Sequence, residues 1–262
     1  MNIFASAKRQ IPNIITLCNL TCGVIATNAA VQGALASAAF FICLGILFDF
    51  FDGLSARALH VASPLGKELD SLADIVTSGV APAFILFRIL SCGAFADTPY
   101  LVAYAAILMP AFSAYRLAKF NLDTRQSHSF LGLPVPCNAL IWAAFGVLAE
   151  RELPWASYEF LWYSIANASL ISTEWTSAIF YSPAGMIGLA VLSILTDILM
   201  ISEMPMFALK FKNLSWRDNK LRFLFLIACV ALIVMFGVFG IILCILLYIL
   251  LSLLTQKKAA NE

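Results

Sequence analysis

Charge is scarce in this chain, and the shortage removes most alternatives at once. Charged side chains make up 12% of 262 residues, about half the roughly 25% usual for soluble domains. Too few polar side chains are available to cover a water-exposed surface of this size. The net charge of +1 leaves no basic field for a nucleic acid. Histidine is limited to His60 and His128, and neither has a partner at ligand spacing, so both are expected as surface polar residues near helix ends. The cysteines (18, 22, 43, 92, 137, 229 and 244) are odd in number and lack metal-type pairing. That excludes a disulfide frame or a zinc site and leaves small buried hydrophobes. The opening MNIFASAKRQIPNIITLCNL has the charge-then-apolar order of a signal sequence but no small-x-small cleavage site. With polar Asn13, Thr16 and Asn19 recurring in its apolar part, it is expected to be a retained first span.

What the chain has is apolar length. Hydrophobic residues make up 62%, which places it among polytopic membrane proteins. A hydrocarbon core about 30 Å thick takes about 20 apolar residues per helix. Runs of that kind cover Asn13–Val31, Ala36–Arg57, Leu69–Leu90, Tyr100–Lys119, Gly132–Ala149 and Ala178–Ile201. The last run, Leu221–Leu254, has no charge after Arg222 and is long enough for two short spans hinged near Gly237–Gly240. Apart from Arg88 and Arg151, every Lys and Arg falls at alternate span ends. Eight spans put all of them on the cytoplasmic side, as the positive-inside rule requires; seven would strand Lys257 and Lys258 outside. The expected fold is therefore an all-α polytopic membrane bundle of about eight transmembrane helices, both termini cytoplasmic. Residues 1–262 form one domain in this reading, with a C-terminal helix pair over 221–255. Glu150, Glu152, Glu159 and Glu174, with Trp142, Trp155, Trp162, Trp175, Tyr158 and Tyr163, mark the opposite face as an outer aromatic belt.

Against this background, the stretch Asp49–Asp74 (DFFDGLSARALHVASPLGKELDSLAD) carries Asp49, Asp52, Asp70 and Asp74 where charge is least welcome. An ionised carboxylate at the centre of a membrane helix costs about 2.5–3.5 kcal/mol on insertion scales. Only Arg57 and Lys67 lie within the segment to neutralise the acids, so divalent metal is the compensating charge to expect. Asp49 and Asp52 stand at i and i+3, and Asp70 and Asp74 at i and i+4, so each pair shares a helix face. Two helices joined by a short turn can pool the pairs. Gly53 lets a bulky ligand approach the backbone, and Arg57 supplies a fork for phosphate oxygens. Ser63-Pro64 reads as an N-cap and first-turn proline for the second of these helices.

The pattern Asp49-x2-Asp52-Gly53-x2-Ala56-Arg57-x8-Gly66-x3-Asp70-x3-Asp74 resembles the complete signature of the CDP-alcohol phosphotransferase family. Beyond it, IPNIITLCNLTCGVIA, SAYRLAKFNLDTRQSHSFLGLPVPCNAL and SEMPMFALKFKNLSWRDNKLR resemble the bacterial phosphatidylserine synthase branch. The resemblance implies transfer of the phosphatidyl group from CDP-diacylglycerol to L-serine, giving phosphatidylserine and CMP. It implies Mg²⁺ or Mn²⁺ held by Asp49, Asp52, Asp70 and Asp74, and Asp74 as the base that takes the serine proton. Gly53, Ala56, Arg57 and Gly66 would line the CDP-diacylglycerol site. It further implies a homodimer in the bacterial cytoplasmic membrane, with the active site facing the cytoplasm and no nucleic-acid partner.

The acceptor side is less sharply marked. Arg116, Lys119 and Arg125 can supply a cation for a carboxylate, and Asn121 and Asp123 acceptors for an ammonium group. Phe130-x-Gly132-x-Pro134-x-Pro136 would wall the pocket. These basic residues can equally hold phosphate or serve as flanking charge. Helix packing and nucleotide contact both explain the stripe Asn13, Thr16, Asn19. Asp197, near the inner end of the sixth span, is expected to cap or to pair with a base. Three alternatives stay open: a phosphatidyltransferase for glycerol 3-phosphate or inositol phosphate, an intramembrane prenyl transferase, and a cation transporter using the carboxylate cluster.

Overall fold

The computed structural model describes residues 3–91, 100–123, 131–152, 179–180, 182–206 and 216–259. Helix α1 (Ile3–Gln32) is followed by α2 (Leu35–Ala58). The first turn of α2 has no capping side chain of its own; instead the Ala36 N–H donates to the Glu150 carboxylate. An anion at a helix N-terminus serves an orphan donor and the positive end of the dipole together. Helix α3 (Pro64–Asp74) starts as the sequence indicates, with Pro64 in the first turn and the Gly66 N–H donating to Ser63 Oγ at 3.0 Å. It continues through one π-helical segment (Ile75–Val80) into α4 (Ala81–Ser91), so that Pro64–Ser91 is a single apolar span. A 3₁₀ segment (Tyr100–Ile107) leads into α5 (Leu108–Leu122), and α6 (Val135–Glu152), α7 (Pro183–Ile201), α8 (Trp216–Phe236) and α9 (Phe239–Ala259) follow.

Six of these helices are long and apolar enough to cross a membrane, and two shorter apolar ones lie over Val135–Glu150 and Phe239–Thr255. The protein is an integral membrane helical bundle, in agreement with the expected eight spans. The hinge between α8 and α9 falls at Gly237, whose φ of +57° is a conformation that costs glycine little. Large apolar side chains cover the outside: Ile14, Val24, Val191, Val230 and Val234 are all exposed, as expected where the solvent is lipid.

The interior is packed with small residues. Ala26, Ala30, Ala38, Ala39, Ala139 and Ala144 are buried, allowing close approach between helix backbones. α1 lies along α2, and both pack on the π segment. The approach there is close: a Cβ on Gly23 would sit 2.8 Å from the Thr77 Cα and N, and one on Gly45 would press on Thr77 Cγ2.

Trp142 departs from its expected place in an aromatic belt. It is fully buried and donates from Nε1 to Asn138 Oδ1 at 3.2 Å, a polar partner one turn away that makes the core acceptable to indole. Trp155, Trp162, Trp175, Tyr158, Tyr163, Glu159, Glu174, Arg125, His128 and Phe130 lie outside the described residues. His60 is exposed at the end of α2 with φ +54°, and the described cysteines are free thiols.

Gly23→Ala is expected to destabilise the bundle by about 1–3 kcal/mol through overpacking against backbone, seen as a lower thermal midpoint in detergent. Gly188→Ala, where nothing lies within 4 Å of the added carbon, should leave the midpoint unchanged; equal effects would show that the α1–π contact is not tight.

Candidate active site

The two carboxylate pairs meet, but not as a symmetric foursome. One oxygen each from Asp49, Asp70 and Asp74 lies within 4.8 Å of the other two. Asp49 and Asp70 are half-buried and Asp74 is buried. Asp52, one turn on from Asp49, turns instead to α1, where its Oδ2 accepts from Thr16 Oγ1 at 2.5 Å. A second α1 residue serves the triad itself: Asn19 Nδ2 donates to Asp74 Oδ1 at 3.1 Å. Thr16 and Asn19 are both buried. The polar stripe of α1 therefore contacts the acids directly, and this is the group that inspection of the signature alone misses. Its signal is polar residues three apart in an otherwise apolar span. Thr77, in the π segment just past Asp74, donates to the Asn19 carbonyl at 3.0 Å and holds α1 to this turn.

The donor set suits a hard divalent cation. Asp70 Oδ1 and Asn19 Oδ1 are buried and have no hydrogen-bond partner among the described residues. The one ion pair formed among those residues, Lys119–Glu203, touches none of the four acids. Clustered carboxylates with spare lone pairs and no base are the ligands that a hard divalent cation such as Mg²⁺ or Mn²⁺ takes.

Beside the triad opens a cavity of about 720 Å³, counting the open solvent at its mouth. Gly53, Ala56, Arg57 and Gly66 line it, as the signature leads one to expect, and Asp52 and Asp70 stand on its wall. Asn13, Thr16 and Lys67 join them. Arg57 is exposed and donates from Nε to the Gly53 carbonyl at 2.9 Å, which orients the guanidinium. A second cavity, between α2, α6 and α9, is lined by side chains such as Ala39, Phe40 and Val147 and reaches none of the acids.

The expected acceptor residues are distributed differently. Arg116 is buried, donating from Nε to the Met200 carbonyl at 3.1 Å and from Nη2 to the Leu131 and Gly132 carbonyls at 3.4 Å. A cation at the C-terminal turn of α7 is favoured by the helix dipole. Lys119 pairs with Glu203 at 3.1 Å. Asn121 is the acceptor residue tied to the signature helix: its Nδ2 donates to Ser71 Oγ and its carbonyl accepts from Lys67 Nζ, both at 2.9 Å. Arg125 lies outside the described residues. Asp197 does not meet its expectation of a capping or basic partner; it is buried, and neither oxygen has a hydrogen-bond partner among the described residues.

The family model for CDP-alcohol phosphatidyltransferase matches residues 9–180. The chain is 37% identical over 126 residues to the CDP-diacylglycerol–serine O-phosphatidyltransferase of Bacillus subtilis, covering 48% of this chain and 69% of that protein. It is 33% identical over 143 residues to the protein of the same name from Methanocaldococcus jannaschii, covering 55% and 63%. It is 30% identical over 140 residues to the archaetidylserine synthase of Methanothermobacter thermautotrophicus, covering 52% and 57%. The matched region thus spans about three-fifths to two-thirds of these relatives.

Asn19→Leu keeps the side-chain bulk and removes the donor to Asp74. Loss of a group that orients a metal ligand typically costs 10–100-fold in metal affinity, and about that loss is expected when Mn²⁺ binding to the purified protein is titrated. An affinity equal to the parent's would mean that Asp74 is positioned without Asn19.

Proposed function

Since this chain belongs to the CDP-alcohol phosphatidyltransferase family, we propose that it transfers the phosphatidyl group of CDP-diacylglycerol to the hydroxyl of L-serine, releasing phosphatidylserine and CMP. One observation carries the reading: three converging carboxylates, Asp49, Asp70 and Asp74, beside a cavity walled by Asp52, Gly53, Ala56, Arg57 and Gly66. The serine relatives favour that acceptor over glycerol 3-phosphate or inositol phosphate.

In this mechanism Asp49, Asp52, Asp70 and Asp74 would hold Mg²⁺ or Mn²⁺. Such a cation, when bound, offsets negative charge on the diphosphate and eases the departure of CMP. Gly53, Ala56 and Gly66 leave room for the diphosphate against backbone, and Arg57 directs its remaining N–H groups to phosphate oxygens. Asp74 accepts the proton of the serine hydroxyl as that oxygen bonds to the β-phosphorus and the bond to the CMP oxygen breaks. Asn19, bonded to one Asp74 oxygen, fixes the carboxylate while the other oxygen works. Lys119, Asn121 and Arg125 form the acceptor side, with Asn121 the link to the signature helix, while Arg116 is committed to main-chain carbonyls at the end of α7. Residues 1–262 act as one domain, and the working unit is a homodimer in the bacterial cytoplasmic membrane. The site faces the cytoplasm, since Arg57, Lys67 and Lys119 share its end of the bundle.

Purified protein given CDP-diacylglycerol should release CMP on addition of L-serine and not of glycerol 3-phosphate. Excess EDTA should stop the release, and Mg²⁺ or Mn²⁺ should restore it. Asp74→Asn should lower turnover by about 10²–10⁴-fold, the usual worth of a positioned base, with CDP-diacylglycerol binding retained. Full turnover in that variant removes Asp74 as base, an undiminished rate in EDTA removes the metal, and release with glycerol 3-phosphate alone reassigns the acceptor.

A further inference from the structure

Away from the diphosphate site, Asp197 on α7 stands in the membrane interior at 1% exposure, and both its oxygens lack a hydrogen-bond partner among the described residues. Its surroundings follow from the helix register. Arg116 bonds the Met200 carbonyl and Lys119 pairs with Glu203, and each contact joins residues 84 apart in sequence. Contacts that advance together along both segments, with α5 packed on α7, show the two running parallel. One turn back from Arg116 and Met200, Ser113 and Asp197 fall at the same level of that packed interface. Ser193 lies four residues before Asp197 on the same face of α7. Ser113 and Ser193 are completely buried, and neither hydroxyl has a hydrogen-bond partner among the described residues.

This group is separate from the phosphate site. Gly79 packs on Ser113, where an added Cβ would come within 3.1 Å of the serine Cβ. Thr77, two residues earlier in the π segment, faces α1 and bonds Asn19. α1, which carries the donors to the clustered acids, and α5, which carries Ser113, therefore pack on different faces of that segment.

The geometry points to a binding site for one sodium-sized alkali cation inside the α5–α7 interface, formed by the Asp197 carboxylate and the hydroxyls of Ser113 and Ser193. An unpaired carboxylate at this depth needs a positive charge, and no Lys, Arg or His forms an ion pair with it among the described residues. A proton on Asp197 would leave a buried O–H without an acceptor, a costly arrangement, because neither carboxyl oxygen has a hydrogen-bond partner among the described residues. A cation of nearly the radius of Ca²⁺, with bonds to oxygen of about 2.3–2.6 Å, spreads its ligands wider than a hydrogen bond does. One carboxylate neutralises one monovalent ion, whereas a divalent ion would leave net charge in the bilayer. The bound ion would join α5 to α7 one turn deeper than the Arg116 clamp.

The test needs no turnover, so it stands or falls separately from the proposed reaction. The full chain, in detergent with EDTA, is melted in sodium, potassium and N-methylglucamine chlorides at equal ionic strength, and ²²Na⁺ binding is measured alongside. The thermal midpoint should rise saturably with sodium, and one sodium should bind per chain. Asp197→Asn should abolish both, and Ser113→Ala should weaken sodium about tenfold, the effect of losing about 1.4 kcal/mol. A parent protein with no saturable sodium response, or a response that survives in Asp197→Asn, overturns the proposal. Should Asp197→Asn fail to fold, unchanged sodium affinity in both Ser113→Ala and Ser193→Ala overturns it equally.

Discussion

Asp49, Asp70 and Asp74 bring carboxylate oxygens within 4.8 Å of one another in spans whose other side chains are mostly apolar. Two like charges about 4 Å apart repel by about 4 kcal/mol even at an effective dielectric of 20. Nothing among the described residues cancels that repulsion, because the nearby cations are engaged elsewhere: Lys67 on the Asn121 carbonyl and Lys119 on Glu203. Such a cluster persists in a stable bundle only if the rest of the fold holds the acids in place and the ligand supplies the missing charge. The packing around the acids is arranged for the first of these tasks.

α1 does most of the holding. Its small residues let it lie against α2 and the π segment, and Gly23 marks where a side chain would already be too much. That close approach is what puts Thr16 on Asp52 and Asn19 on Asp74. The π segment adds to this. Widening the helix immediately after Asp74 releases backbone from the usual ladder and turns Thr77 to α1 and Gly79 to α5, a use of π geometry often found beside functional sites. The span carrying half of the acids is thus fixed from both sides, while its lower end stays open to the cavity.

How much of this could be read from the chain depends on how far apart the partners lie in sequence. The acids, the Ser63 cap, the glycines of the signature and the hinge at Gly237 are local patterns and were legible. The division of the acids was not: Asp52 turns to a threonine 36 residues away, and helical spacing alone makes Asp49 and Asp52 equivalent. Arg116 looked like a free cation at a span end because the carbonyl that receives it is 84 residues on. Trp142 looked interfacial because it was grouped with the tryptophans and glutamates around the outer loop; Asn138, one turn before it, was the overlooked sign of a core partner. The π segment leaves no trace, since one widened turn has no periodicity of its own.

Arg116 and Asp197 show the two ways this bundle handles a buried charge. The guanidinium spreads its donors over three carbonyls at the end of α7 and the adjoining turn, so main-chain dipoles that helix ends leave unused stabilise it. A carboxylate has no such recourse. It accepts only, and in the middle of a helix the N–H groups it could accept from are already bonded within the ladder. Side-chain donors can serve it, as Thr16 and Asn19 do for Asp52 and Asp74, or a cation from outside the chain must. The asymmetry explains why the arginine can be satisfied by architecture alone, while a buried acid lacking a side-chain donor depends on compensation from outside the chain.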